Sequence, residues 1–236
     1  NPFAPFTAVP ERIAPAKAQV RRNASFPFNE SEDAQQRQWH YNNTGNVFGN
    51  ASLIGADADV WAAWNLSQGN PDVIVAVIDQ GVKCDHEDLA DNMWVNGGEI
   101  PGNGIDDDGN GYVDDVHGYN FIDNSGTITV SESLYHGTHV AGTIAAVNNN
   151  GKGVNGIAGG SGKSGRGRVM SLQTLGSGDN GSSGSGLGGA VRAMKYAADN
   201  GAVICQNSWG YNSKVSWNTW TRSSYGALSR AMDYFI

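Results

Sequence analysis

Hydrophobic and polar positions change their period several times along the chain, and each change predicts an element. Residues 73–79, VIVAVID, form an unbroken apolar run rich in β-branched side chains and closed by an aspartate. That is the pattern of a strand buried on both faces. RVMSLQTL (168–175) and AVICQNSWG (202–210) are two further runs of this kind. Between them lie stretches with apolar spacings of three and four. DADVWAAWNLSQG (57–69) has an Asp start and a Gly stop; HGTHVAGTIAAV (136–147) opens with small residues and continues apolar. GLGGAVRAMKYAADNG (186–201) ends on Gly201, and YGALSRAMDYFI (225–236) begins another helix. Strands separated by helices of this length predict parallel βαβ units, hence an α/β three-layer sandwich with a mostly parallel sheet. Residues 1–37 hold most of the prolines and sustain no period. They read as an extended arm or leader remnant ahead of a domain at 38–236.

Composition narrows the function classes. A 39% hydrophobic content supports a packed core, and a net charge of −8 with a pI near 4.9 argues against a nucleic-acid partner. No run approaches the roughly 20 apolar residues of a membrane span. The N-terminus lacks the order of a signal peptide, so the chain is expected to be a processed form or one made without its leader. Cys84 and Cys205 permit one pairing at most and are expected to be unlinked thiols.

Candidate chemistry begins at Asp79. A carboxylate after six apolar residues falls at the carboxyl end of a parallel strand, where functional groups of open α/β sheets gather. His136 opens a helix whose next residues, Gly137 and Thr138, leave room around the imidazole. A histidine held by a buried carboxylate has one tautomer and one accessible nitrogen, which makes it the base half of a nucleophilic triad. Two histidines three apart also suit a helix-face metal site, but no adjoining glutamate or third ligand completes one.

The pairing of VIVAVIDQGVKCDHEDL with HGTHVAGTIAA some fifty residues later resembles the subtilisin-like serine proteases, the subtilases, from about Gln38 to Ile236. The resemblance implies a serine endopeptidase acting on peptide or protein substrates, secreted or held in the cell envelope. It makes Asp79 the orienting acid and His136 the general base, with His139 a packing residue. Gln80 departs from the Ser or Thr common there, and an amide keeps both a donor and an acceptor beside the aspartate. Ser208, Trp209 and Gly210 correspond to the edge that pairs with an extended peptide, and the glycine-rich stretch 176–189 to the border of the cleft. The family's G-T-S-x-A segment, which carries the nucleophile, has no counterpart in these residues, and neither does its A-G-N segment. The expectation is therefore a sheet truncated before its last strands, completed by a C-terminal segment or second chain bearing the serine, and inactive alone. Two other classes compete: an inactive fragment, and a non-catalytic calcium- or peptide-binding module.

GNGIDDDGNGYVDDVHG (102–118) carries five aspartates between residues 106 and 115. Asp106, Asp108, Asn110 and the Tyr112 carbonyl alternate with glycines between them, as in a calcium loop. His117 stands where a twelfth-position glutamate would, so Asp115, rather than Asp114, is expected to add oxygens. The competing reading is a solvated acidic turn. By resemblance alone, Asp88 and the loop VNNNGKGV (147–154) match a second calcium position, with Gln38 as a contributor. Asp88 as an ordinary helix cap competes with that assignment.

Overall fold

The computed structural model describes residues 27–31, 37–161, 165–176, 184–210 and 226–236. Its frame is a four-stranded parallel sheet of β3 (Ile74–Asp79), β4 (Gly118–Asn120), β5 (Arg168–Gln173) and β6 (Ile204–Gln206), in the order β4-β5-β3-β6. A short hairpin, β1 (Asn46–Val47) and β2 (Asn50–Ala51), precedes it with Phe48 and Gly49 both at positive φ. The helices are α1 (Val60–Ala63), α2 (His136–Ala145), α3 (Gly184–Asp199) and α4 (Gly226–Phe235).

Alternation along the central strands divides the core into two layers. Ala76 and Ile78 of β3, with Met170 and Leu172 of β5, pack against Ala190, Ala193, Met194 and Ala197 of α3 and Leu228 and Ala231 of α4. Val77 and Val169 point the other way, onto Ala141 and Ala145 of α2. Both faces of β3 and β5 are therefore covered, as their near-continuous apolar runs require, and the expected three-layer α/β sandwich is what forms. Small residues on α2 and α3 let each helix lie close on the sheet.

Four details depart from the sequence reading, the first being that the helix expected over 57–69 is confined to Val60–Ala63. β4 lacks a long apolar run and was not expected as a strand; it pairs with β5 through only Gly118–Asn120. β6 is shorter than 202–210 because its register with β3 covers only Val75–Val77. Beyond that, the Ile78 carbonyl accepts from the Trp209 indole at 3.1 Å, and the Asp79 carbonyl accepts from the main chain of Thr174 at 2.9 Å. The last carbonyls of β3 are thus engaged elsewhere. Finally, the segment read as an arm contributes to the body. Phe28 is buried in a satellite cluster with Tyr41, Val60 and Trp64, its ring centroid 4.8 Å from that of Trp64.

Truncating that anchor should loosen the N-terminal cluster: Phe28→Ala is expected to cost about 3 kcal/mol, in the range for large aromatic deletions. Urea unfolding monitored by tryptophan fluorescence checks it, since Trp64 reports from the same cluster.

Candidate active site

Asp79 ends β3 with no solvent exposure, while the His136 side chain at the start of α2 is 48% exposed. Nδ1 of His136 lies 2.8 Å from Asp79 Oδ1 and 2.9 Å from Oδ2. A carboxylate can only accept, so Nδ1 carries the proton and Nε2 is left as the basic nitrogen. The main-chain N–H of Gln80 donates to Asp79 Oδ1 at 2.7 Å. The support for the aspartate thus comes from the backbone at position 80. Lys83 N–H donates to Thr138 Oγ1 at 2.9 Å, tying the chain after Asp79 to the first turn of α2.

The closeness of helix and strand depends on Gly137. A Cβ there would sit 2.3 Å from the Gly81 carbonyl oxygen and 3.2 Å from Asp79 Cβ. Any side chain would push α2 away from β3 and separate the imidazole from the carboxylate. His139, expected to pack, is instead exposed on α2, where its carbonyl accepts from Thr143 Oγ1. Ser208 and Gly210 are exposed beyond β6 and Trp209 is half-buried; Ser208 Oγ accepts from Gln206 Nε2 at 2.7 Å. Residues 177–183, part of the glycine-rich stretch expected beside the cleft, lie outside the described residues.

The acidic loop draws in a residue that its sequence spacing did not reveal. Glu99, Asp106 and Asp108 each place a carboxylate oxygen within 4.8 Å of the others. Glu99 is buried and accepts from the main-chain N–H groups of Asp107, Asp108 and Asp114. Asp108 is itself held below the usual carboxylate range: partial burial pushes upward, but donation from the Asn96 side chain and from Asn110 outweighs it. Asp115 lies fully buried beneath the loop, accepting from Asn96 at 2.9 Å, Asn110 at 3.1 Å and the Tyr196 hydroxyl of α3. Asp114 is consumed by the turn, accepting from Gly102, Asn103 and Gly104 N–H groups. Asn110 Oδ1 accepts from Tyr112 N–H, and the Tyr112 ring packs on Tyr119 and Tyr196. Glu99 could have been suspected only as an acid preceding the loop by several residues.

A second acidic pair forms near Asp88. Asp88 accepts from Asn150 Nδ2 at 2.8 Å and Val154 N–H at 3.0 Å, and a Cβ on Gly153 would lie 2.1 Å from its Oδ2. Glu30 reaches the same loop, accepting from Asn150 N–H at 3.1 Å. Burial raises both carboxyls, and the negative charge of Asp88 adds to the rise at Glu30. Gln38 instead binds Asn155, donating to its carbonyl at 2.7 Å and accepting from its N–H at 2.9 Å. Glu30 sits in the stretch read as arm, which is why its role was not visible.

Residues 70–235 match the subtilase family. The chain belongs to that family. It is 36% identical over 149 residues to the halolysin-like extracellular serine protease Nep of Natrialba magadii, a match covering 63% of this chain and 22% of Nep. It is 51% identical over 86 residues to subtilisin-like protease 1 of Plasmodium vivax, covering 36% of this chain and 13% of that protein. The solved complex of the Aeromonas sobria serine protease with its chaperone shares the fold, with a TM-score of 0.63 at 24% identity over 89% of this chain and 30% of the protease. The chain thus spans under a quarter of the length of these two curated relatives. Among the described residues no helix is long and apolar enough to cross a membrane.

Two consequences of this geometry can be measured. Gly137→Ala should displace α2 and destroy the Asp79–His136 hydrogen bond while β3 and β5 persist; loss of the downfield Nδ1–H proton signal with far-ultraviolet circular dichroism retained is the expected result. Cys84 lies behind the site with its thiol pushed up to about 12, by burial first and by the Asp85 charge second. The thiol is neutral below that value and reactive only as thiolate above it, so at pH 8 only about one part in ten thousand is reactive. Iodoacetamide alkylation of Cys84 in the folded protein should be negligible at pH 8 and rise steeply as the pH approaches the thiol's own value.

Proposed function

We propose that Asp79 and His136 are two members of a serine endopeptidase triad, with the serine supplied by residues outside these 236. The observation that carries the reading is the fully buried Asp79 carboxylate hydrogen-bonded to a half-exposed imidazole at the carboxyl edge of a parallel sheet. Burial strengthens the interaction of the carboxylate with an imidazolium and keeps water from competing for Nδ1. His136 Nε2 takes the hydroxyl proton as the serine attacks a peptide carbonyl, and later returns it to the leaving amine. Asp79 stays ionised throughout, fixing the tautomer and stabilising the charged ring. The family's calling also supports an extended peptide as substrate, lying along Ser208, Trp209 and Gly210 beyond β6, with main-chain pairing for affinity. Export from the cytoplasm fits the extracellular relative Nep.

Calcium fits both acidic groups. Each offers oxygen donors alone, the hard set that suits this ion over zinc or copper. Glu99, Asp106 and Asp108 would hold one ion, with Asn110, the Tyr112 carbonyl and Asp115 in supporting positions. Glu30 and Asp88 would share a second, whose charge would offset two buried carboxylates that otherwise repel. A bound ion would supply positive charge that holds these loops closed; it takes no part in the proton transfers.

Intact mass spectrometry with a fluorophosphonate probe tests the enzymatic reading. The 24.9 kDa chain is expected to stay unlabelled and inactive alone, with the label falling on a serine-bearing polypeptide that completes it. In the completed protease His136→Ala should lower kcat by about six orders of magnitude. Labelling or peptidase activity of the isolated chain would overturn the assignment. For calcium, thermal unfolding should show a higher Tm than in EDTA, by roughly 2.7 kcal/mol of stabilisation at one hundred times Kd. Glu99→Gln and Asp88→Asn should each remove part of that gain, and Asp88→Asn should raise Tm in EDTA by removing a charge that burial disfavours.

A further inference from the structure

We infer that Gln173 is a positioning residue for the Asp79–His136 pair, an assignment that rests on the reading of those two as catalytic. Gln173 ends β5 and stands in register with Asp79 on one side and Asn120 on the other. These three side chains form a buried polar row across the carboxyl ends of adjacent strands, each no more than 1% exposed. A long uncharged amide here needs partners for every donor, and it has them. Nε2 donates to the Gln80 carbonyl and to the Thr129 carbonyl, both at 2.9 Å, and Oε1 accepts from Thr129 N–H at 2.8 Å.

The two segments so joined are the ones that deliver the catalytic pair. Gln80 directly follows Asp79, and Thr129 lies in the connection from β4 that leads into α2 and His136. With Thr129 the side chain imitates a strand neighbour, exchanging a donor and an acceptor with one residue. With Gln80 it completes a clamp. The Gln80 N–H donates to the Asp79 carboxylate while its carbonyl is held by Gln173, so residue 80 is fixed at both ends. Asn120 secures the other side of the same connection, accepting from the N–H groups of Ile122 and Asp123 and donating to the Thr127 carbonyl. Without the Gln173 amide, two carbonyls and one N–H lose their partners at once, and the Gln80 N–H is free to leave Asp79. The effect reaches His136 through the carboxylate it binds; Gln173 does not touch the imidazole.

The test is Gln173→Met, similar in shape and without hydrogen-bonding groups, in protein labelled with ¹⁵N. The first readout is amide hydrogen exchange: Gln80 should exchange about tenfold faster while Val77 in the middle of β3 stays slow. The second is the Nδ1–H signal of His136, which should broaden through exchange with solvent. Met194→Ala serves as a control, a core deletion expected to lower Tm while leaving both site signals in place. Should Gln173→Met fail to fold, Gln173→Asn keeps the amide on a shorter stem that cannot span both segments, and the same two signals are read from it. A rise in exchange at Gln80 no greater than at Val77, with the His136 signal unchanged, would overturn the proposal and leave Gln173 a core residue. Neither readout depends on peptidase activity. A completed protein that cleaves nothing would therefore sink the functional reading while the clamp on Asp79 could still be measured.

Discussion

Asp79 carries a carboxylate to a place with no solvent at all, and much of the surrounding architecture can be understood as the way that charge is kept satisfied. Removing one partner of a buried charged pair typically costs about 3–5 kcal/mol, because the other is left without compensation. Here the Gln80 N–H and the His136 imidazole supply the hydrogen bonds, and the Asp79 carbonyl is held by the main chain continuing from β5. Each donor arrives on a different segment. The geometry of the carboxylate therefore forces α2, the chain after β3 and the end of β5 to converge on one point.

That convergence explains the small residues around it. Gly137 admits the Gly81 carbonyl to a distance no side chain would allow, and Ala141 and Ala145 continue the close approach of α2 to Val77 and Val169. On the opposite face, α3 uses Ala190, Ala193 and Ala197 in the same way. A sheet pressed closely from both sides has little freedom to shift its strand ends. The half-exposed imidazole is thus mounted on a rigid base, as the proposed proton transfer requires.

The acidic loops answer a different electrostatic demand. Around Asp114 and Asp115, main-chain N–H groups, asparagine amides and the Tyr196 hydroxyl neutralise the aspartates, coupling the loop to α3. Carboxylate oxygens of Glu99, Asp106 and Asp108 converge at the acidic loop, with Glu99 buried, while Glu30 and Asp88 both accept from main-chain N–H groups of the turn at 150–154. These are places where like charges have been gathered instead of separated. Burial is the main cause that raises the carboxyls of Glu30 and Asp88, and the Asp88 charge adds to it at Glu30.

The apolar runs 73–79 and 168–175 determined two central strands and the layered fold, because a parallel strand buried on both faces leaves a continuous signal that its neighbours cannot erase. The aspartate closing one run and the HGTH opening a helix likewise made the candidate site legible, since a charge after six apolar residues can lie only at a strand end. The tertiary structure alone decided what meets there. Gln173 reads as one more strand position until register sets it beside Asp79, and Glu99 and Glu30 acquire meaning only when distant segments fold against Asp108 and Asp88. β4 stayed hidden for the same reason: three residues ending in a buried asparagine carry no period, and only the edge of β5 makes them a strand. Local pattern reports which residues must be buried; which polar groups then satisfy one another depends on contacts between segments far apart in the chain.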